Sequence, residues 1–438
     1  MRLARALFAL AAAMPAMAQY AGPAILSRGE SPVAMSAPQI DFRPFFELST
    51  IYDTGLAGVS LNSQGELGNT ASAGLQFSEG VSGVHSWKRT KLSLDYRGSF
   101  AHYSKTTYFD GANQSLMLAL THSLSRHISF SLRESAGLFS RNPGLAGLSS
   151  TAGFDPSMSN IPATDFFDNR TIYFSTQADV TIQRSTRLSF DLGADASVVR
   201  RRSSALFGAN NTGARADLQY RLSRRTTIGA GYNYSNYGYT GVASATNLHS
   251  FTGTYAIRLT RALEFSAFGG VTRFETNFQQ VVPLDPVIAI LIGRSAAVVD
   301  SYNLRYTPTF SGRLSQTFKR GVAYLSAGRT VTPGNGLFLA STATNYSGGY
   351  SYSGFRRWGL NAQAGYYSAQ SSVNAVGSYG GATGSVSASR QIGRFVHSVA
   401  SLNVRQYQSP DFTQYNRLIY TLQIGLGFTP GDIPLRLW

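Results

Sequence analysis

The chain alternates. In Lys91–Tyr103, "KLSLDYRGSFAHY", Leu92, Leu94, Tyr96, Gly98 and Phe100 share one face of an extended segment, and Lys91, Ser93, Asp95, Arg97 and Ser99 share the other. Arg187–Val199 sets Leu188, Phe190, Leu192, Ala194, Ala196 and Val198 against Arg187, Ser189, Asp191, Gly193, Asp195 and Ser197. Thr212–Leu222 opposes Ala214, Ala216, Leu218, Tyr220 and Leu222 to Arg215, Asp217, Gln219 and Arg221. Arg417–Phe428 gathers Leu418, Tyr420, Leu422, Ile424, Leu426 and Phe428. Period two marks a strand whose two faces meet unlike surroundings. No 3.6-residue period competes with it in these segments.

The segments pair around short basic turns: Lys88-Arg89, Ser125-Arg126-His127, Arg184-Ser185-Thr186, Ser223-Arg224-Arg225, Thr260-Arg261-Ala262, Lys319-Arg320-Gly321, Arg356-Arg357 and Gly393-Arg394. Between them lie stretches rich in Gly, Asn, Ser and Pro, at Thr54–Asn69, Ser104–Gln114, Ser140–Arg170, Arg201–Asn211, Asn277–Tyr302 and Gln370–Tyr379. Short and long connections alternate, so the repeating unit is a hairpin. Eight turns join sixteen strands, and Phe45–Asp53 and Arg417–Phe428 bring the count to eighteen, with 16–18 compatible with the pattern. Val322–Val331 and Ala382–Gln391 alternate poorly, and Ala71–Ser86 breaks near Glu79-Gly80. Segments of roughly ten residues suit tilted membrane crossings. The expected fold is all-β: a transmembrane antiparallel up-and-down β-barrel of about eighteen strands, short turns in the periplasm and long loops outside. A soluble propeller or solenoid would need a recurring blade motif and two-sided sheet packing, and neither is visible.

Composition supports export. Arg2 and Arg5 precede the apolar stretch Ala6–Met14, and Ala16-Met17-Ala18 forms a small-x-small cleavage site, which predicts a secretory signal over 1–18. The expected division is then an N-terminal periplasmic segment (19–43), the barrel (44–428) and a C-terminal tail (429–438). There is no Cys, so neither disulfides nor thiolate metal sites are available. No 18-residue apolar run follows the signal, which excludes a transmembrane helix; a closed barrel spans with a much weaker signal per strand. The 38 Lys+Arg against 22 Asp+Glu give a formal charge of +16, and Arg221, Arg224 and Arg225 beside tyrosines could suggest nucleic acid. Alternation gives another reading: Arg224 and Arg225 belong to a turn and Arg221 to a wall, with no nucleic-acid partner.

With these features the chain resembles bacterial outer-membrane β-barrels of the porin-like kind, over roughly Phe45–Phe428. "YTLQIGLGF", Tyr420–Phe428, is similar to the closing-strand signal of that family. The resemblance implies that Gln423, Gly425 and Phe428 are read by the barrel-assembly machinery. The family usually ends at its terminal aromatic, whereas this chain continues through "TPGDIPLRLW", so Trp438 shares or replaces that role. "LSRRTTIGAGYNYSNYGY" resembles hairpins of putative porins from exopolysaccharide-export settings.

If the apolar faces meet outer-membrane lipid, the others line a lumen. Its expected cations are Lys91, Arg97, Arg133, Arg187, Arg215, Arg221, Arg305, Arg313, Arg329, Arg405 and Arg417, and its anions Asp95, Asp179, Asp191, Asp195, Asp217 and Glu264. A cationic wall favours anionic solutes, although Asp95 with Arg97 and Asp217 with Arg215, two apart on one face, could simply pair. Asp191 and Asp195 read as solvated or Arg-paired carboxylates rather than a metal site. The apolar run Val287, Ile288, Ile290, Leu291 and Ile292 could fold inward as a constriction or plug, extend a strand pair outside, or contact another protomer of a homo-oligomer. Tyr103, Tyr232, Tyr234, Tyr237, Tyr239, Tyr346, Tyr350, Tyr352 and Tyr366, with Trp87 and Trp358, suit interfacial aromatic girdles. His85, His102, His122, His127, His249 and His397 show no metal-ligand spacing, and there is neither a GxSxG elbow nor a P-loop. The expected function is a channel, without cofactor or enzymatic activity, for small hydrophilic, preferably anionic solutes. The alternatives are a structural or accessory barrel in envelope polysaccharide export, and an outer-membrane hydrolase.

Overall fold

The computed structural model describes residues 41–434 except 62–66, 106–108, 141–169, 205, 242–243, 286–289, 292, 333–338, 353, 356, 372–376, 409–415 and 430–432. The expected signal, most of the N-terminal segment and Trp438 lie outside the described residues. The strands are β1 (Asp41–Leu61), β2 (Leu67–Ser86), β3 (Thr90–Tyr103), β4 (Gly111–Ser123), β5 (Ile128–Phe139), β6 (Thr171–Gln183), β7 (Leu188–Arg201), β8 (Gly208–Arg221) and β9 (Thr226–Thr240). They continue with β10 (Ala245–Arg258), β11 (Leu263–Pro283), β12 (Ala296–Phe318), β13 (Gly321–Thr332), β14 (Ser341–Tyr352), β15 (Trp358–Ser371), β16 (Ser378–Gln391), β17 (Val396–Gln408) and β18 (Arg417–Phe428). Each pairs antiparallel with the next, and β1 pairs with β18 from Phe46↔Phe428 to Asp53↔Thr421. The sheet is therefore a closed barrel of eighteen strands, and closure leaves no edge strand. Beyond β18, Ile433–Pro434 pairs with Asp41–Phe42, which extends β1 three residues below the expected start of the barrel.

Period two sorts the side chains as expected. Leu48 (59% exposed), Leu75 (55%), Leu192 (50%), Phe251 (63%) and Val386 (58%) stand on the outside, while Ser, Thr, Asn, Gln and most charges turn inward. An apolar belt around the whole circumference far exceeds the patch a soluble monomer tolerates. Acyl chains are the surroundings it fits. Among the described residues, no helix is long and apolar enough to cross a membrane.

Eight short connections lie where the basic turns were expected, but their geometry depends on hydroxyls. Ser125 Oγ accepts from the backbone N–H of His127 and of Ile128, both at 3.1 Å. Ser185 does the same for Arg187 (3.2 Å) and Leu188 (3.0 Å), and Thr260 for Ala262 (3.2 Å) and Leu263 (3.0 Å). Ser223 accepts from Arg225 N–H at 3.1 Å. The side chain thus satisfies turn donors that the ladder leaves over, and the adjacent arginines are left to solvent.

Several expected loops are strand instead. Most of Thr54–Asn69 belongs to β1 and β2, and much of Asn277–Tyr302 belongs to β11 and β12, which pair up to Pro283↔Ala296. A hairpin ladder satisfies its own backbone wherever the two strands run side by side, so it outlasts the apolar alternation that makes a strand legible. The girdle also needs correction. Tyr103, Tyr237 and Tyr239 are buried on the lumen side, because their odd positions oppose the outward Phe100, Tyr232 and Tyr234.

The seam is tied by side chains as well as backbone. Gln423 Nε2 donates to Glu47 Oε1 (3.0 Å) and Ser49 Oγ (2.9 Å), and Thr421 Oγ1 donates to Asp53 Oδ2 (3.1 Å). At the bulge after Asp53, Thr54 Oγ1 accepts from Tyr420 N–H at 2.8 Å, and Asp53 Oδ1 accepts from Gly55 N–H at 2.7 Å. Gln423→Leu should therefore cost about 1–3 kcal/mol by leaving a carboxylate without its donor. The temperature at which the folded species is lost on an unheated-versus-heated gel series should fall, whereas Ile424→Val on the outer face should leave it nearly unchanged.

Candidate functional site

The lumen is the site, and its wall divides into two chemistries. From β5 to β9 it is charged. Arg215 on β8 donates to Asp179 on β6, and Gln177, with its amide oxygen turned inward, accepts from Arg215 Nη1 and Nη2, each at 2.8 Å. Arg133 on β5 lies within the field of both Asp179 and Arg215. Asn211 Nδ2 donates to Asp195 Oδ2 at 2.7 Å. Asp191 and Asp217 face each other across the β7–β8 ladder, a like-charge pair that would be unfavourable if both side chains stood upright. They diverge: Asp191 accepts from Thr181 on β6 at 2.5 Å, while Asp217 leans over Gly231 on β9.

Glycines make that leaning feasible. A Cβ at Gly193 would collide with Asp179 and Arg215, one at Gly213 with Asp195, and one at Gly231 with Asp217. Each charged side chain lies flat in the slot left by its neighbour's missing side chain, so the panel is polar without projecting into the lumen. On β3, Arg97 Nε donates to Asp95 Oδ1 at 3.1 Å, the pairing expected two residues apart. Arg215 reaches Asp179 across the intervening β7.

The other expected charges distribute as follows. Lys91, Arg221, Arg313, Arg405 and Arg417 share the lumen parity of their strands, with Arg313 set over the ring of Tyr324 at 5.1 Å. Arg305, opposite Phe274 on β11, also has that parity. Glu264 pairs with Arg258 at 2.9 Å, and Arg187 is exposed in a turn. Arg329 is a correction. It faces Phe310 across β12–β13 and shares the parity of Leu325, 63% exposed outside, while Tyr324 and Ser326 take the lumen parity. Of the expected plug, Val287, Ile288 and Ile292 lie outside the described residues. Ile290 and Leu291 are 84% and 79% exposed beyond the ends of β11 and β12.

A different segment narrows the lumen. The β12–β13 ladder ends at Phe310↔Arg329, yet β13 continues to Thr332 paired with β14 alone. There Val331 is buried against Tyr237, Tyr239, Leu248 and Phe274, inner-face residues of β9–β11, with Leu339 and Ala209 packed on the same cluster. Strand β12 lies between β13 and β11 in the sheet. This contact therefore requires the end of β13 to bend over the inner wall. At the same end of the barrel, Phe109 from the β3–β4 connection packs with Tyr103, Ile51, Leu56 and Ala101, and Phe139 stacks on Tyr173 with centroids 5.5 Å apart.

Gly193→Leu should displace the Asp179–Arg215 pair into the lumen, lowering single-channel conductance and costing about 1–3 kcal/mol of stability through overpacking. Val331→Asn should act oppositely on conductance: burying an amide there costs about 1–3 kcal/mol, which releases the end of β13 and widens the mouth. Conductance histograms of the two variants beside the parent chain test both.

No protein family matches the sequence, and no curated protein matches it either. Solved structures of similar shape include a protein titled "Copper transporter OprC", with 11% identity over 91% of this chain and 68% of that one and a TM-score of 0.48. Acinetobacter baumannii OccAB2 is similar at 10% identity over 90% and 98% of the two chains, TM-score 0.43. Pseudomonas aeruginosa OccK5 (OpdH) gives 11% identity over 90% and 99%, TM-score 0.40. The closed eighteen-strand barrel itself rests on the continuous ladder and its β1–β18 seam.

Proposed function

We propose that the chain is a channel of the bacterial outer membrane that passes small hydrophilic solutes, with a preference for anions. The observation that carries this reading is a closed barrel with an apolar exterior and a polar inner wall whose charges lie flat over glycines. An eighteen-strand barrel is wide enough to hold an aqueous path, and a polar lining keeps it wet. The short-turn end would face the periplasm and the narrowed end the outside. Anion preference is supported by the excess of inward cations. Among the described strand residues of lumen parity, Arg43, Lys91, Arg97, Arg133, Arg201, Arg215, Arg221, Arg258, Arg305, Arg313, Arg405 and Arg417 outnumber Glu47, Asp53, Asp95, Asp179, Asp191, Asp195, Asp217 and Glu264, and wall charge concentrates counter-ions.

Purified protein in a planar bilayer with a salt gradient should give a reversal potential on the anion side, and Arg313→Glu with Arg405→Glu should move it toward the cation side. A parent channel that is cation-selective would overturn the preference. A folded barrel with no conductance would overturn the channel itself and favour an accessory barrel held shut by the bent end of β13.

A further inference from the structure

The wall from β13 to β17 differs in chemistry from the charged panel. One register row crosses it as Tyr324, Gly349, Gln363, Ser385 and Asn403, and reaches Thr421 on β18. Asn361, Ser387 and Ser401 continue the same character in the next row. Among the described residues with the lumen parity of these five strands there is no carboxylate, and Arg405 is the one arginine. The wall is also open: Gln363 is exposed and Asn361, Ser385 and Asn403 are half-exposed. The facing panel is reachable too, since Asn233 is exposed there, so the two walls differ in chemistry and not in access.

We infer that this wall is a binding surface for polyhydroxylated solutes, namely saccharides. This rests on the channel reading but not on the anion preference. Serine hydroxyls and Asn or Gln amides each donate and accept hydrogen bonds, whereas a carboxylate only accepts and a guanidinium only donates. A sugar presents a run of hydroxyls that also both donate and accept, so a neutral hydroxyl–amide wall can engage every one of them without demanding a charge. Adjacent strands lie about 4.8 Å apart, close to the length of one hexose unit, so successive sugar units meet equivalent partners on successive strands. Tyr324 lies flat over Gly349 at the edge of the row, with Arg313 set over its ring, so the neutral wall begins beside that pair.

The test is block of the potassium chloride current through the full-length protein by short linear glucan oligosaccharides, compared with polyethylene glycol of matched size. Oligosaccharide should block at about tenfold lower concentration than the glycol, a difference of roughly 1.4 kcal/mol. Gln363→Leu with Asn403→Leu should remove that advantage, and Ser385→Ala, a milder change that keeps the fold, should reduce it. Asn233→Leu on the facing panel should leave it intact. Equal block by sugar and glycol, or block unaltered in both wall variants, overturns the saccharide surface while the channel stands. A parent barrel without any current overturns both.

Discussion

Everything in this molecule depends on one constraint: a sheet that traverses lipid must pair every backbone N–H and C=O within itself, because the surroundings offer no partner. The chain meets it by bringing β18 back to β1. Once the ring is closed, the period of two leaves no freedom about which side chains face outward, since a one-residue slip would exchange the two faces of a whole strand. Where the ladder is irregular beside the seam, the parity does shift by one, since Ile51 and Leu56 both pack inside. The bulge after Asp53 spoils the ladder locally, and the hydroxyl of Thr54 then supplies the acceptor that Tyr420 N–H would otherwise lack.

Within that frame, glycine and charge work together on one side and hydroxyls and amides on the other. Aspartates and arginines that pointed straight into the lumen would narrow it and repel one another at Asp191 and Asp217. Laid over Gly193, Gly213 and Gly231, they give the wall its charge while occupying little of the passage. The wall through Gln363, Ser385 and Asn403 needs no such slots, because short neutral side chains already leave room. The lumen thus has a charged side and a neutral one, while the bent end of β13 reduces the space near the mouth.

Much of this was legible in the sequence. The alternation in Leu188–Val198 and Ala214–Leu222 gave the outward and inward sets, and the basic turns gave the strand number, because both follow from a strictly local period. Tyr237 and Tyr239 resemble girdle tyrosines by residue type, yet their parity opposes that of Tyr232 and Tyr234 and places them inside. Arg329 and the bend of β13 were hidden for another reason. Val322–Val331 alternates poorly because Val322 and Tyr324 take the lumen parity and Arg329 the outward one, and Val331 keeps an outward parity while packing on Phe274 inside. Such a contact depends on residues far apart in the chain, and no local period records it. The reach of Arg215 to Asp179 was illegible likewise: it skips a strand, and a slot at Gly193 makes it feasible.

The hydroxyl-locked turns also dictate an order of assembly. Ser125, Ser185, Ser223 and Thr260 hold their hairpins shut with bonds made within three residues, so these units can form as soon as their strands meet. The seam is the opposite case, joining Phe46 to Phe428; by loop-closure entropy this is roughly 4 kcal/mol harder than closing a short turn. Closure should be the last event. Until it happens, the protein is a curved open sheet with two bare edges, β1 and β18, each ready to pair with whatever strand arrives first. Whether such a chain ends as a barrel or an aggregate is then decided at those two edges and at the speed with which they find each other.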